Sequence, residues 1–189
     1  MKAIVYDRFG GPEVLAVREW PEPKARPGYA RVQVHAAAIN PKDVLLRKGR
    51  MKWLVGRKLP RTTGYDFAGV LLDDTPTLKA GSPVYGMIQA HAGGACAEQV
   101  SARFDELAAT PAGLSMVEAA SLPLAGLTAL QGLRDELEVK AGDKVLLNGA
   151  SGGVGTLAVQ IARALDAEVT AVCSARNHEL VRRLGAQQV

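Results

Sequence analysis

A glycine cluster at residues 149–155 separates a short apolar run, residues 145–147, from a segment whose apolar residues recur at helical spacing. This arrangement predicts a strand, a tight loop and a helix. Such a loop leaves the first N–H groups of the helix unpaired and directs the positive end of the helix dipole outwards, which suits a pyrophosphate. We therefore interpret the cluster as a dinucleotide-binding loop.

The cluster fits the G-x-G-x-x-G pattern in part, since Ala150 stands in the place of the first glycine. Gly152 would let the backbone approach the pyrophosphate, and Gly155 would let the helix pack closely on the strand. A second run of strand-forming residues, 169–173, follows about twenty residues later, as a βαβ unit requires. The candidate cofactor-binding residues of the loop are Ser151, Gly152, Gly153, Val154 and Gly155.

The sequence after the second predicted strand favours NADPH over NADH as the cofactor. An NAD site usually places an Asp or Glu there for the ribose 2′-OH, and residues 173–177 contain neither. Ser174, Arg176 and Asn177 instead offer hydroxyl, guanidinium and amide groups that suit a 2′-phosphate. The alternative is that Asn177 only caps the next helix while Arg176 is solvated.

The composition is that of an ordinary globular protein, with 48% hydrophobic residues in a chain of 189. No apolar run approaches the roughly eighteen residues that span a bilayer, and residues 1–8 do not resemble a signal peptide. We expect a soluble cytoplasmic protein with no membrane partner. Cys96 and Cys173 belong to no C-x-x-C pair, so neither a disulfide framework nor structural zinc is expected.

Eight basic residues lie between positions 42 and 61, where Asp43 is the single acidic residue. Three interpretations remain open: a solvated loop, a positive funnel for an anionic cofactor or substrate, and a nucleic-acid surface. The third is disfavoured because Trp53 is the only aromatic residue there that could stack on bases. The basic residues are Lys42, Arg47, Lys48, Arg50, Lys52, Arg57, Lys58 and Arg61.

The first part of the chain is rich in short strand-like runs and contains one clear helix. Residues 40–49 predict that helix, with Asn40 at the N-cap, Pro41 at the first position, Asp43 at the third and Gly49 after the end. Capping by itself would explain Asn40 and Asp43. Strands are predicted at residues 3–6, 15–19, 31–36, 64–72, 84–87 and 93–100.

The apolar period changes from two to 3.6 in the second part of the chain. A capping box at Ser115 and Glu118 opens a helix, and a helical run follows Pro123 as far as residue 137. We therefore place a domain boundary at residue 120, with one domain over residues 1–120 and a nucleotide domain over residues 121–189.

Four motifs follow one another along the chain: Asn40-Pro41-x-Asp43 with Arg47-x-Gly49, Gly64-x-Asp66-Phe67-x-Gly69-Val70, residues 122–129 and residues 148–155. In this order they resemble the zinc-independent quinone oxidoreductase (zeta-crystallin-like) branch of the medium-chain dehydrogenase/reductase superfamily. The resemblance implies an α/β protein with a GroES-like β-rich catalytic domain followed by a Rossmann NADP-binding domain. Because the family's chains are longer, the parallel sheet is expected to be incomplete and the chain truncated at its C-terminus.

The resemblance also implies roles for individual residues. Asn40 would line the substrate and nicotinamide pocket, and Pro41 and Asp43 lie in a segment beside the cofactor. Thr128 matches a threonine near the nicotinamide carboxamide. Tyr65 is the candidate proton donor, with a buried structural tyrosine as the alternative.

Zinc-dependent relatives need a Cys at Asn40-Pro41, a His and Glu pair near Gly64-Tyr65 and a four-cysteine lobe, and this sequence has none of these. His91 and Cys96 are too few to replace them. The implied activity is zinc-independent hydride transfer from NADPH to a small molecule, either a quinone or an activated carbon–carbon double bond. The full-length form is implied to be a homo-oligomer. The alternatives are a non-catalytic nucleotide- or nucleic-acid-binding relative and an inactive truncated fragment.

Overall fold

The computed structural model describes residues 1–56, 58–88 and 93–189, without the side chains of Leu54 and Val55. Arg57 and His91, which the sequence interpretation named, lie outside the described residues. The chain divides into two compact units, Met1–Leu124 and Ala125–Val189, which we call unit 1 and unit 2. The division falls four residues after the boundary predicted from the sequence, because unit 1 extends into the first turn of a helix.

Unit 1 is built on two antiparallel sheets. Its strands are β1 (Lys2–Tyr6), β2 (Ala16–Glu19), β3 (Tyr29–Ala38), β4 (Arg61–Thr62), β5 (Asp66–Leu71), β6 (Pro83–Met87), β7 (Gln99–Arg103) and β8 (Leu107–Ala109). Its helices are α1 (Pro41–Arg47), α2 (Lys52–Val55) and α3 (Met116–Ala120). The larger sheet has the order β7-β3-β5-β6-β8, and the smaller has the order β2-β1-β4.

The core of unit 1 lies against β5, whose residues are buried at five of six positions. Phe67 and Leu71 pack with Val32 and Val84 from the neighbouring strands. Gly69 is required here, since a Cβ would lie 2.9 Å from the carbonyl carbon of Gln33 on β3. This close approach of another backbone is the reason that the sequence shows a glycine inside a strand.

The predicted strand at residues 93–100 is wrong in its bounds, because β7 begins only at Gln99. Gly93 and Gly94 adopt positive φ values of 68° and 137°, which a strand does not use. The N–H groups of Gly94 and Ala95 donate to the carbonyl oxygen of Gly64. The segment therefore wraps around residues 63–64 before it joins the sheet.

Unit 2 contains a βαβ arrangement. Its strands, β9 (Lys144–Asn148) and β10 (Glu168–Val172), run parallel and pair from Glu168 opposite Lys144 to Val172 opposite Asn148. The helices are α4 (Pro123–Leu130), which begins in unit 1, α5 (Gly153–Ala164) and α6 (His178–Leu184). The helical run that the sequence predicts as far as residue 137 continues beyond α4 as a π-helical turn, Gln131–Glu136.

One face of this parallel pair is packed and the other is open. Val169 and Ala171 are buried with Val159 of α5 in a single cluster. On the opposite face, Leu146 is 68% exposed and Val172 is 46% exposed. Gln188 adds a parallel bridge to Thr170. Across the described residues, no helix is both long enough and apolar enough to cross a membrane.

Candidate functional site

In unit 1 the N-terminus of α1 is organised around the buried carboxylate of Asp43, which is 4% exposed. Its Oδ2 accepts a hydrogen bond from the backbone N of Asn40 at 2.9 Å, which is the part of the predicted capping that Asp43 supplies. Asn40 occupies the predicted N-cap position, but its side chain makes no capping bond. Its Oδ1 accepts from the backbone N of Gly64 at 2.9 Å and from the Thr63 hydroxyl at 3.3 Å. The carboxylate therefore fixes α1 to residues 63–64, and both of its oxygens are engaged within the protein.

A second carboxylate, Asp66, holds the side chain of Asn40. Asp66 is 1% exposed at the start of β5, and its Oδ2 accepts from the Asn40 Nδ2 at 2.9 Å. The backbone N of Leu124 lies 3.2 Å from both carboxylate oxygens. Burial raises the pKa of the Asp66 carboxyl to about 6, although the hydrogen bonds from Asn40 and Leu124 oppose the rise.

Asp66 belongs to one of the motifs that carry the family resemblance, but sequence reasoning gives it no role. The available signal is a carboxylate at the head of a strand whose next residues, 67–71, are all apolar. A buried carboxylate needs hydrogen-bond donors, so this pattern indicates polar partners elsewhere in the chain. The donors are out of reach of local reasoning because they come from positions 40 and 124.

Tyr65, the candidate proton donor, is 2% exposed and packs with Leu46, Met51 and Met87. The Nζ of Lys42 lies 3.9 Å from the centroid of its ring. Burial, together with the charge of Asp43, raises the pKa of Tyr65 to about 12. A phenol in this environment is a weak acid, which favours the structural alternative, and its role as donor stays a prediction.

In unit 2 the predicted dinucleotide loop connects β9 to α5. Gly149 turns the chain with φ of 73°, and the N–H groups of Gly149 and Ala150 donate to the carbonyl oxygen of Val172 at 3.0 and 3.1 Å. Gly152 is the N-cap of α5, and Gly152, Gly153 and Val154 are exposed. The first N–H groups of such a helix have no partner within the helix, so they can bind an anion.

Gly155 has the packing role that the sequence predicts for it. A Cβ at this position would lie 2.7 Å from the Cα and the carbonyl carbon of Ala150, so only glycine lets α5 approach the loop. At Gly153, by contrast, a Cβ would meet no atom within 4 Å. Gly155 is therefore required for the packing of α5, whereas Gly153 leaves the backbone accessible.

The residues predicted to bind a 2′-phosphate follow the end of β10. Ser174 and Arg176 are exposed. Asn177 occupies the N-cap position of α6 but makes no capping bond with its side chain. Its Nδ2 instead donates to the Ser151 hydroxyl at 2.9 Å, which joins the loops after β9 and β10. The capping alternative for the Asn177 side chain is therefore not what the structure shows.

Three other features are singled out by the sequence: Pro41, Thr128 and the basic segment at residues 42–61. Pro41 is the exposed first residue of α1, and Thr128 is an exposed residue of α4. Within the basic segment, Arg47 is only 8% exposed, so it is not part of a surface. In the described parts of the chain, no group of three His, Cys, Asp or Glu residues could hold a metal ion.

Comparison with known proteins places these features in a family. The family model for the alcohol dehydrogenase GroES-like domain matches residues 26–162. The mitochondrial NAD(P)H oxidoreductase RTN4IP1 of Homo sapiens is 38% identical over 212 residues, and the match covers 100% of this chain and 53% of that protein. The chain thus spans about half the length of the curated relatives that it matches.

Solved structures show the same relationship. The quinone oxidoreductase of Coxiella burnetii superposes with a TM-score of 0.87 at 39% identity, covering 100% of this chain and 61% of that chain. A mycobacterial protein complexed with NADPH superposes with a TM-score of 0.83 at 31% identity, covering 100% of this chain and 58% of that chain. These matches confirm the predicted fold class, a GroES-like β-rich domain followed by part of a Rossmann sheet.

The family assignment rests on three observations that are consistent with one another. These are the antiparallel sheets of unit 1, the glycine loop of unit 2 and the match of the family model to residues 26–162. The chain belongs to the alcohol dehydrogenase GroES-like domain family, within the medium-chain dehydrogenase/reductase superfamily.

Proposed function

We propose that this chain is the NADPH-binding and substrate-binding part of a zinc-independent oxidoreductase that reduces a quinone or an activated carbon–carbon double bond. The observation that carries the proposal is the structure at the carboxyl ends of β9 and β10, where the two following loops are joined by the bond between Asn177 and Ser151. Parallel α/β sheets bind their ligands at this end of the strands.

The pyrophosphate of NADPH fits the N-terminus of α5. Gly152, Gly153 and Val154 expose backbone there, and α5 is a helix of twelve residues whose dipole favours a negative charge at that end. Gly153 has open space where other residues carry a Cβ, so a ligand can approach the backbone closely. A dinucleotide is the ligand class that uses both features together.

The preference for NADPH rests on the loop after β10. The exposed side chains of Ser174 and Arg176 offer a hydroxyl and a guanidinium, which pair well with a phosphate dianion. The same segment contains no carboxylate to accept a bond from a free ribose 2′-OH. The mycobacterial relative complexed with NADPH supports this preference.

Substrate binding is proposed for the part of unit 1 around Asn40. The Asn40 amide is held by Asp66, and α1 is anchored by Asp43, so the amide has a fixed position in which to contact a ligand. NADPH supplies the hydride when bound, and the protein contributes mainly by orienting the two reactants. Sequence similarity to the quinone oxidoreductase of Coxiella burnetii supports a quinone as the acceptor.

Calorimetric titration with NADPH and, separately, with NADH tests the cofactor assignment. We expect NADPH to bind at least about tenfold more tightly, since one charge-assisted contact is worth roughly 1.5 kcal/mol or more. Arg176→Ala should remove most of that preference and leave NADH binding unchanged. Arg182→Ala, which removes another exposed arginine of unit 2, is the matched control. Equal binding of both cofactors, or an unchanged preference in Arg176→Ala, contradicts the assignment.

Oxidation of NADPH in the presence of a quinone or an enone tests the reaction itself. The expected result is oxidation that depends on the acceptor and persists in the presence of a chelator, because no step is assigned to zinc. Tyr65→Phe should retain turnover if the tyrosine is structural, and should lose it if the phenol donates the proton. Loss of turnover after chelation contradicts the zinc-independent mechanism.

A further inference from the structure

The carboxylate of Asp66 in unit 1 has almost no access to water. Asp66 is 1% exposed, yet it has three short polar contacts, one from the Asn40 Nδ2 at 2.9 Å and two from the Leu124 backbone N at 3.2 Å. The residues opposite it on the adjacent strands, Ala38 and Met87, are apolar. Among the described residues, the Asn40 amide is the side chain that donates a hydrogen bond to this carboxylate.

That contact determines the orientation of the amide. An ionised carboxylate only accepts hydrogen bonds, so it can bond the Nδ2 end of an asparagine and not the Oδ1 end. A protonated carboxyl gains an O–H donor and can bond the Oδ1 end as well. Ionised Asp66 therefore holds only the Nδ2 end of the amide, whereas protonated Asp66 allows either end to be held, so that a ligand can meet either end.

We propose that Asp66 is a positioning residue, whose ionised carboxylate holds the Asn40 amide in one orientation and releases it when protonated, so that the ligand site responds to pH. The orientation of the amide stands on the geometry alone. Its consequence for turnover rests on the function proposed above.

The surroundings place this change within an accessible pH range. Burial is the main cause that raises the pKa of Asp66 to about 6, and the negative charge of Asp43 adds to the rise. The positive charge of Lys42 acts in the opposite direction. Among the described residues, these two, both on α1, are the charged groups that act on Asp66. The residues that meet it from β3, β6 and α4, which are Ala38, Met87 and Leu124, carry no charge.

The side-chain NH₂ signals of Asn40 in nitrogen-15 NMR spectra of the full chain test the proposal directly. The signals are assigned by their loss in Asn40→Ser and followed from about pH 4.5 to pH 8. We expect them to shift with a midpoint about 2 pH units above that of an ordinary aspartate. Asp66→Asn should abolish the shift, and Asp74→Asn, which removes an exposed carboxylate of unit 1, should leave it unchanged.

Two results overturn the proposal: Asn40 signals that do not titrate in the wild type, or an unchanged titration in Asp66→Asn. If Asp66→Asn does not fold, the carbon-13 carboxyl signal of Asp66 in the wild type replaces it. That signal and the Asn40 signals must then share one midpoint, and different midpoints contradict a link between the two groups.

Turnover adds a readout that separates this proposal from the proposed function. With NADPH and a quinone, kcat should fall about tenfold per pH unit below the Asp66 midpoint, while the KM for NADPH changes little. Asp66→Asn should lack this pH step. If no turnover is found, the proposed function fails, whereas the NMR titration still decides the role of Asp66.

Discussion

The N-termini of α1 and α5 differ in whether a side chain of the protein itself lies against them. At the N-terminus of α1, the Asp43 carboxylate accepts hydrogen bonds from the N-cap residue and from residues 63–64. At the N-terminus of α5, Gly152 and Gly153 are exposed, so the backbone there is accessible from outside. The difference indicates that α1 is a fixed structural part, whereas α5 is able to accept an anion from outside.

Replacing Asp43 should have the largest effect on stability. Asp43→Ala leaves two backbone N–H groups and a hydroxyl without their acceptor in a buried place, and we expect a loss of about 4 kcal/mol. Urea unfolding followed by tryptophan fluorescence measures this, since Trp20 and Trp53 both lie in unit 1. Asp74→Ala, which removes an exposed carboxylate, is the control and should cost far less than Asp43→Ala. A similar cost for both variants would mean that α1 is not anchored by Asp43.

The glycines of α5 should respond in opposite directions to the same substitution. Gly155→Ala forces a Cβ against the backbone of Ala150 and should destabilise unit 2 by about 3 kcal/mol. Gly153→Ala meets no atom within 4 Å and should be neutral or stabilise by about 0.5 kcal/mol. Thermal unfolding followed by far-UV circular dichroism compares the two. Equal effects would show that Gly155 and Gly153 do not differ in how closely the rest of the protein packs against them.

The pH dependence of stability should separate Asp66 from ordinary carboxylates. Because the pKa of Asp66 is raised in the folded state, its contribution is fully present below the ordinary aspartate range and is lost as the pH rises through about 6. The unfolding free energy of the wild type, minus that of Asp66→Asn, should therefore fall by about 2 kcal/mol between pH 4 and pH 7. A difference that stays constant or rises with pH would show that burial does not disfavour the charge.

The bond between Asn177 and Ser151 should have the smallest effect. Asn177→Ala and Ser151→Ala should each cost about 1 kcal/mol, and the double variant should cost no more than either alone. Chemical unfolding of the four proteins gives the coupling energy. Additive losses would mean that the two loops are held independently of each other.

The comparison of the two helices also explains what the sequence could predict. The loop before α5 is encoded locally, because glycines at fixed spacing follow a strand and precede a helix, and the predicted elements are found there. The capping of α1 is equally local, since Asn40 and Asp43 are three residues apart.

The long-range hydrogen bonds of the buried carboxylates in unit 1 cannot be predicted from local sequence patterns. Asp43 meets Gly64 across 21 residues, and Asp66 meets Leu124 across 58 residues. No local pattern encodes such contacts, because they depend on how the strands are paired. The misplaced start of the strand predicted at residues 93–100 has the same cause, since the N–H groups of residues 94–96 bond to residues 63–64 and not to a neighbouring strand.

The bond from Asn177 to Ser151 also has a consequence for the kinetics of binding. Together with the bonds from Gly149 and Ala150 to Val172, it ties both loops by contacts within the protein itself. The conformational entropy of these loops is therefore lost during folding and not during binding. We therefore expect the cofactor binding proposed at this edge to be a single encounter step with a modest entropic penalty, without a slow phase in which the loops close.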